Sequence, residues 1–494
     1  MNVSEPGGAP RGEMGPWRRR LTSLSALLLL CGGLTSTAVA LKLTNEPEPS
    51  PAQCAPGDPN PEPGTQGDVP SGVEPAWDCG VSPVGFLEGA NGAMAVAYPC
   101  AYTGGGLDDG TGVRVIDVSD PAQPTLVRVL PTSSRELLAA QVAEDRALLA
   151  TRHRDTEQQD GQVLGRDMLV DVWDIRTCTD PQLKGTARLP TQSKIFGDPP
   201  GELGGPAHNL KFNPSATRLY GSLPLHEVNL DDLENPDSWE VENLHCAITD
   251  QHHLPHKTVP GLCTTLAGVD HPFNAASNMP ATDHEPTFSP DGSRLYIGGQ
   301  LPYPDSTAIW VLDMTSGEPV VLSVTQDAPG HAIDFMTIGG REYLLHSNEI
   351  AAATACVPEQ VRPTFLGFGD RAFVLDITDE TAPVKTSEIL LADSTFDNCG
   401  PNNTGGPSTA YHGVDDPTNT TYAVISFEAA GFRFFGVRDP ENPVEVAYWN
   451  HGDSQHTSPY VMSETGHIWA SDANGFWVLD LEPHVRARLA QSGG

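Results

Sequence analysis

The sequence has few basic residues: 28 Lys and Arg stand against 64 Asp and Glu, which gives a formal net charge of −36. Removal of residues 1–40 takes away four Arg and two Glu, so the rest carries 24 minus 62, or −38. A surface this acidic repels phosphate backbones and anionic lipids. The composition therefore argues against nucleic acid as a partner and suits a soluble extracellular protein, or one that attracts cations.

The chain also lacks the short motifs that mark common catalytic sites. It contains no His-Glu-x-x-His, no Gly-x-Ser-x-Gly and no phosphate-binding glycine loop. No Cys-x-x-Cys pair occurs, which argues against a zinc ribbon or a thioredoxin-like site. The runs 108–110 and 290–292 lack the alternating acids of a calcium loop and indicate turns.

One long uncharged run lies near the N-terminus. Arg18, Arg19 and Arg20 precede residues 21–41, which include the small-x-small sequence Ala-Val-Ala at 38–40. This is the layout of an export signal, and the run is also about long enough to span a bilayer. We expect residues 1–40 to be a cleaved signal peptide or a single retained membrane anchor. The protein should then be extracytoplasmic, either secreted or held at the cell surface.

Export predicts an oxidising compartment, in which cysteines pair. Loss of Cys31 with the signal would leave eight cysteines, an even set that allows 105 pairings. Two bridges are favoured because each would close a loop between strands: Cys246–Cys263 and Cys356–Cys399.

The composition changes at about residue 80. Residues 41–78 are rich in Pro, Glu, Gly and Gln and poor in aromatic and branched apolar residues, which predicts a disordered linker. Strand patterns then continue toward the C-terminus, and no stretch of ten or more residues has a convincing helical period. We expect a folded domain over 79–484 and a flexible tail over 485–494.

A repeated pattern organises this domain. Its clearest copy, at 112–130, is an alternating apolar strand that ends in an aspartate, a Ser-Asp-Pro-x-x-Pro turn, and a second alternating strand. Related sequences return at 168–176, 308–314, 372–384, 432–444 and 476–481. The aspartates at the end of the first strand are expected to cap turns: Asp117, Asp174, Asp313, Asp376 and Asp480.

The strands group into seven units of four, designated A to D. Each four-stranded sheet is apolar on both faces, and a closed ring buries those faces. The sequence therefore predicts an all-β fold, a seven-bladed β-propeller of four-stranded antiparallel blades. The stretch near 93–98 is assigned to strand B of the first unit. The last unit lacks strand D, so residues 81–87 are expected to complete it and close the ring.

The repeat resembles that of a known family. Val-Ile-Asp-Val-Ser-Asp-Pro-Ala-Gln-Pro, at 115–124, is similar to the LVIVD repeat of secreted bacterial β-propellers. The resemblance covers about residues 80–482 and is weakest in the third unit. It implies the propeller architecture, and because that family has no uniform activity it implies no chemistry.

A histidine stands at the entrance to strand A, the innermost strand, in five units. We expect these side chains to form an arc at one mouth of the central channel, near residues at the ends of B strands. Converging imidazoles and carboxylates suit a transition metal such as copper or zinc. The histidines could equally be hydrogen-bond braces between strands. The arc residues are His208, His284, His331, His412 and His456, and the B-strand residues are His346, Glu349, Glu428 and Asp472.

A second candidate lies in the insertion between the third and fourth units, residues 245–283. It contains His252, His253 and His256 between two cysteines. Closely spaced histidines in a short tract can bind metal. The alternative is a disulfide-closed surface loop with solvated histidines.

These features favour a binding function over catalysis. We expect a monomeric exported propeller that binds an unidentified protein or small molecule at its histidine-bearing channel mouth. One alternative is a metal-dependent oxidoreductase, copper being the candidate cofactor, that uses the histidine arc. The other is a cell-surface scaffold whose channel is only structural.

Overall fold

The structure is a computed structural model of an almost entirely β chain. The residues that it describes are 77–104, 112–132, 138–152, 158–159, 162–163, 167–190, 209–222, 225–244, 282–300, 309–325, 331–347, 372–389, 411–427, 431–451 and 458–491.

Seven four-stranded antiparallel sheets form the blades of a propeller, which confirms the predicted fold class. Two strands precede the first blade, β1 (Trp77–Cys79) and β2 (Val81–Glu88). Blade one has β3 (Met94–Ala97), β4 (Cys100–Thr103), β5 (Val113–Asp117) and β6 (Thr125–Leu130). Blade two has β7 (Leu138–Val142), β8 (Ala147–Arg152), a hairpin of β9 (Gln158–Gln159) and β10 (Gln162–Val163), then β11 (Asp167–Asp174) and β12 (Gln182–Pro190). Blade three has β13 (Leu210–Phe212), β14 (Arg218–Gly221), β15 (His226–Asn229), a 3₁₀ turn (Pro236–Ser238) and β16 (Val241–Asn243).

The other four blades follow the same order from strand A to strand D. Blade four has β17 (Thr282–Phe288), β18 (Arg294–Gln300), β19 (Ile309–Asp313) and β20 (Val320–Thr325). Blade five has β21 (Ile333–Ile338), β22 (Arg341–Ser347), β23 (Ala372–Asp376) and β24 (Val384–Ile389). Blade six has β25 (His412–Val414), β26 (Tyr422–Phe427), β27 (Gly431–Gly436) and β28 (Val444–Asn450). Blade seven has β29 (Tyr460–Val461), β30 (Ile468–Ser471) and β31 (Gly475–Leu481), and α1 (Pro483–Gln491) follows.

The N-terminal strand closes the ring, as predicted. β2 pairs antiparallel with β31, from Val81 opposite Leu481 to Glu88 opposite Gly475, and so becomes strand D of blade seven. On the channel side, the Tyr460 hydroxyl of blade seven donates a hydrogen bond of 2.9 Å to the Met94 carbonyl of blade one. β1 joins the outer edge of blade six as a fifth strand, beside β28.

Two predictions at the ends of the domain are wrong. The stretch near 93–98, predicted as strand B of blade one, contains the innermost strand β3, and strand B is β4. The two strands are very short and only a turn at Tyr98 and Pro99 separates them, so the sequence resembles that of a single strand. The tail predicted as flexible from residue 485 is largely the helix α1. Val485 and Leu489 of this helix are buried against the core of blades six and seven, and that burial stabilises a short helix.

The repeated aspartates cap turns in four blades. The Oδ1 atoms of Asp117, Asp174, Asp313 and Asp376 each accept a hydrogen bond of 2.8–3.0 Å from the backbone N–H two residues later. Asp480 differs, because its carboxylate pairs with Arg486 of α1. The interpretation as turn caps is therefore confirmed for four of the five.

A β-bulge recurs between strands C and D in six blades, and it was not predicted. The strand D residue beside the bulge contacts the C–D turn of the following blade. Ser323 Oγ donates to Glu380 O at 2.6 Å, and Ser387 Oγ donates to Pro440 O at 2.7 Å. At the equivalent Gly85, an added Cβ would lie 2.1 Å from Pro121 O. We call this the turn-to-strand contact; it joins the repeated turn to the neighbouring blade.

One disulfide joins blades one and two: Cys100 in β4 is bonded to Cys178, with 5.8 Å between their Cα atoms. Cys79 is also disulfide-bonded. A disulfide of this kind typically adds roughly 2–4 kcal/mol to the free energy of unfolding. The four cysteines of the favoured bridges lie outside the described residues: Cys246, Cys263, Cys356 and Cys399. Within the described part of the chain, no helix is long and apolar enough to cross a membrane.

Candidate functional site

The histidine arc is partly described. His284 lies in β17, His331 precedes β21 and His412 begins β25, and all three are buried. His208 and His456 lie outside the described residues. His284 and His331 lie near the start of the innermost strands of blades four and five. His412 lies further along its strand, because it pairs with Ile425 as Ile333 pairs with His346 in blade five. The three rings have different neighbours.

His412 braces two blades. Its Nδ1 lies 2.7 Å from Asp334 Oδ2, and its Nε2 lies 3.1 Å from Ala332 O, both in blade five. Both contacts are to acceptors, so a ring with protons on both nitrogens donates to both, whereas a neutral ring satisfies only one. For His412 the structure supports the interpretation as a brace.

His284 sits at a bulge in the innermost strand of blade four. Asp283 pairs with Gly299 and Glu285 with Gly298, which leaves His284 as the extra residue. The Asn209 side-chain amide of blade three donates to His284 O at 3.2 Å and contacts His284 Nδ1 at 3.1 Å. Because that amide group is the donor, Nδ1 accepts and the ring proton lies on Nε2. Bulges commonly redirect side chains beside functional sites.

His331 completes a cluster with these residues. Its ring centroid lies 4.0 Å from that of His284 and 4.9 Å from that of Tyr411. The Tyr411 hydroxyl donates to Asn209 Oδ1 at 3.1 Å. We call Asn209, His284, His331 and Tyr411 the histidine cluster. It links blades three to six by hydrogen bonds and tilted ring contacts.

The metal prediction gains no support from the described residues, among which no group of three His, Cys, Asp or Glu side chains could hold an ion. His346 is buried and stacks on Phe373 at 4.9 Å. Asp472 accepts hydrogen bonds from the backbone of Asn474 and Gly475, while burial raises its pKa, so its contacts are those of a turn. The other secondary candidates lie outside the described residues: Glu349, Glu428, His252, His253 and His256.

A cavity of about 230 Å³ lies among the innermost strands, next to the histidine cluster. Its walls differ in character. Blades one and two, which lack the histidine, contribute apolar side chains such as Met94, Val96 and Leu138. Blades three and four contribute Lys211 and Glu285. We call this space the channel cavity; blades one and two line it mainly with apolar residues, and its charged residues come from blades three and four.

Glu285 is the most unusual group in the channel cavity. Its Oε2 is fully buried and has no hydrogen-bond partner within the described part of the chain. Burial raises the pKa of Glu285 from its usual 4.5 to about 7; Asp334 adds to the increase, and the positive charge of Lys211 opposes it. An unsatisfied carboxylate oxygen in a cavity is costly and suggests a role in binding.

Glu285 and Lys211 were missed by the sequence reasoning, which concentrated on histidines. Two recurrences could have revealed them. The residue after the arc histidine is polar in blades three and four, Asn209 and Glu285. Lys211 and Asp334 each stand three residues after an arc histidine, and Lys211 lines the cavity.

Comparisons with known proteins reveal similarity of fold alone. No family model matches the chain, and no curated protein matches it. Similar solved structures include a protein from Lactobacillus plantarum, at 12% identity over 74% of this chain and 86% of that one, with a TM-score of 0.46. Hydrazine synthase from Kuenenia stuttgartiensis is 11% identical over 80% of this chain and 96% of that one, with a TM-score of 0.44. The WD40 repeats of RRP9 are 9% identical over 81% of this chain and 97% of that one, also with a TM-score of 0.44. Likeness at this level says nothing about activity.

Proposed function

We propose that this protein is an exported β-propeller of the LVIVD-repeat type that binds a small molecule in its channel cavity. The observation that carries the proposal is the buried Oε2 of Glu285, which has no hydrogen-bond partner among the described residues although Glu285 lines a cavity. Leaving a buried charged group unsatisfied costs stability, and function is a common reason for such a cost. We therefore assign the ligand site to the channel cavity and not to the predicted histidine arc beside it.

The surroundings of Glu285 support binding to a preformed site. The side chains of Asn209 and Tyr411 are held by the hydrogen bonds of the histidine cluster, so this wall needs no reorganisation when a ligand enters. An apolar wall with a few placed polar groups is typical of small-molecule sites.

A thermal-shift screen of small polar compounds tests the proposal, with wild type and Glu285→Gln compared on purified mature protein. A ligand present at 100 times its Kd stabilises the folded state by about 2.7 kcal/mol. We expect at least one compound to raise the melting temperature of the wild type and to have a weaker effect on Glu285→Gln. A screen without any such compound, together with native mass spectra that show no retained small molecule, would contradict it.

The metal-dependent oxidoreductase is the second candidate. The observation in its favour is the proximity of two imidazoles from adjacent blades, His284 and His331, whose ring centroids are 4.0 Å apart. Its test is elemental analysis of the purified protein. If no copper or zinc co-purifies, and neither added metal changes the melting temperature, this candidate should be dropped.

A further inference from the structure

We infer that the ligand of the channel cavity is a small zwitterion whose ammonium group pairs with Glu285 and whose carboxylate pairs with Lys211. This inference rests on the proposed function and specifies its ligand class. It begins from two oppositely charged side chains that line one cavity, where the positive charge of Lys211 opposes the increase in the pKa of Glu285.

The two opposite charges restrict which charged groups a ligand can carry. A charge in a site shielded from water is stable only when it is paired and hydrogen-bonded. A purely cationic ligand would pair with Glu285 and leave Lys211 beside an added positive charge. A purely anionic ligand would do the reverse. A zwitterion satisfies both groups and adds no net charge to the cavity.

The hydrogen bonds of the neighbouring groups restrict the charged contacts to these two side chains. Asn209 uses its oxygen to accept from Tyr411 and its amide group to donate to His284. Asp334 lies against His412 at 2.7 Å. Glu285 Oε2 has no hydrogen-bond partner within the described residues, and Lys211 lines the same cavity, so we assign these two side chains to the ligand.

The size and the apolar wall narrow the class further. Pockets for drug-sized ligands occupy roughly 300–1,000 Å³, and the channel cavity is smaller, about 230 Å³. Met94, Val96 and Leu138, from blades one and two, line the same cavity. This arrangement fits a free α-amino acid with an aliphatic side chain, with its charged groups on blades three and four and its side chain against blades one and two.

The test uses probes that share one carbon skeleton. Calorimetric titration of the mature protein would compare L-leucine with 4-methylpentanoate, which lacks the ammonium group, and 3-methylbutylamine, which lacks the carboxylate; alanine, valine and methionine extend the series. We expect at least one amino acid to bind, and its single-charge counterparts to bind at least about 30-fold more weakly, the usual loss when one partner of a buried charge pair is removed.

Variants assign the two ends of the ligand. Glu285→Gln and Lys211→Met should each weaken binding of the amino acid by about 30-fold or more, while the exposed Glu240→Gln should leave it unchanged. Circular dichroism and melting temperature establish that each variant is folded. If the thermal-shift screen finds a ligand that depends on Glu285 but no zwitterion binds, the inference fails and the proposed function stands. If no compound of any class binds, both fail.

Discussion

Replacing Glu285 with glutamine should remove a pH-dependent loss of stability. Burial raises the pKa of this carboxyl from 4.5 to about 7. Between these values the unfolded chain releases the proton while the folded protein retains it. Because the unfolded state then binds fewer protons, the free energy of unfolding falls as pH rises through this window.

The size of the effect follows from the two pKa values. Each pKa unit corresponds to about 1.36 kcal/mol, so the step from 4.5 to about 7 is worth roughly 3 kcal/mol. The contribution of Glu285 is complete below pH 4.5 and is lost by about pH 8. Glutamine has nearly the same shape and does not ionise, so the variant should lack this part of the pH dependence.

Urea unfolding at pH 4.5 and pH 8 measures the effect in wild type, Glu285→Gln and the exposed control Glu240→Gln. We expect the stability of Glu285→Gln relative to wild type to rise by roughly 3 kcal/mol between the two pH values, with no such change for the control. Other titrating groups act alike in both proteins and cancel. An equal difference between variant and wild type at both pH values would show that Glu285 ionises normally in the folded protein, and the argument for an unsatisfied carboxylate would be wrong.

Three further predictions concern the framework. Arg433 and Glu445 form a fully buried ion pair of 3.2 Å. Arg433→Met should therefore lower the free energy of unfolding in urea by about 3–5 kcal/mol, and adding Glu445→Leu should restore most of it. A double variant no more stable than the single one would contradict the pairing. Gly413→Ala should lower the melting temperature, because the new Cβ would lie 2.2 Å from Pro459 O; an unchanged value would mean that the strands separate easily. Deletion of residues 77–88 should make blade seven sensitive to protease, because β31 would lack its partner strand. A synthetic peptide of these residues should restore the resistance.

The blades were predictable because their signals are local. Alternating apolar residues mark each strand, and an aspartate such as Asp117 or Asp313 marks the turn that follows, within two residues of its hydrogen-bond donor. The bulges beside Ser323 and Ser387 were not predictable, because a bulge is a property of the pairing between two strands. Its neighbour across the blade interface is more than 50 residues away.

The strands that carry the candidate site were predictable, but the contacts of their side chains were not. Recurrence along the chain identified His284 and His412 as residues of equivalent strands. Their contacts differ because Asn209 lies against one ring and Asp334 against the other, at sequence separations of 75 and 78. The unsatisfied Oε2 of Glu285 depends on which side chains surround it, and a single sequence contains no measure of that.

Closure of the ring by β2 has a consequence for how the protein is made. Residues 81 and 481 are paired neighbours in blade seven, so β2 cannot pair with β31 until nearly the whole chain is available. Contacts of such long range slow folding and leave strand edges exposed in the meantime. A chain that loses its last segment keeps β2 without its partner β31, so the C-terminal residues are needed to complete the whole domain.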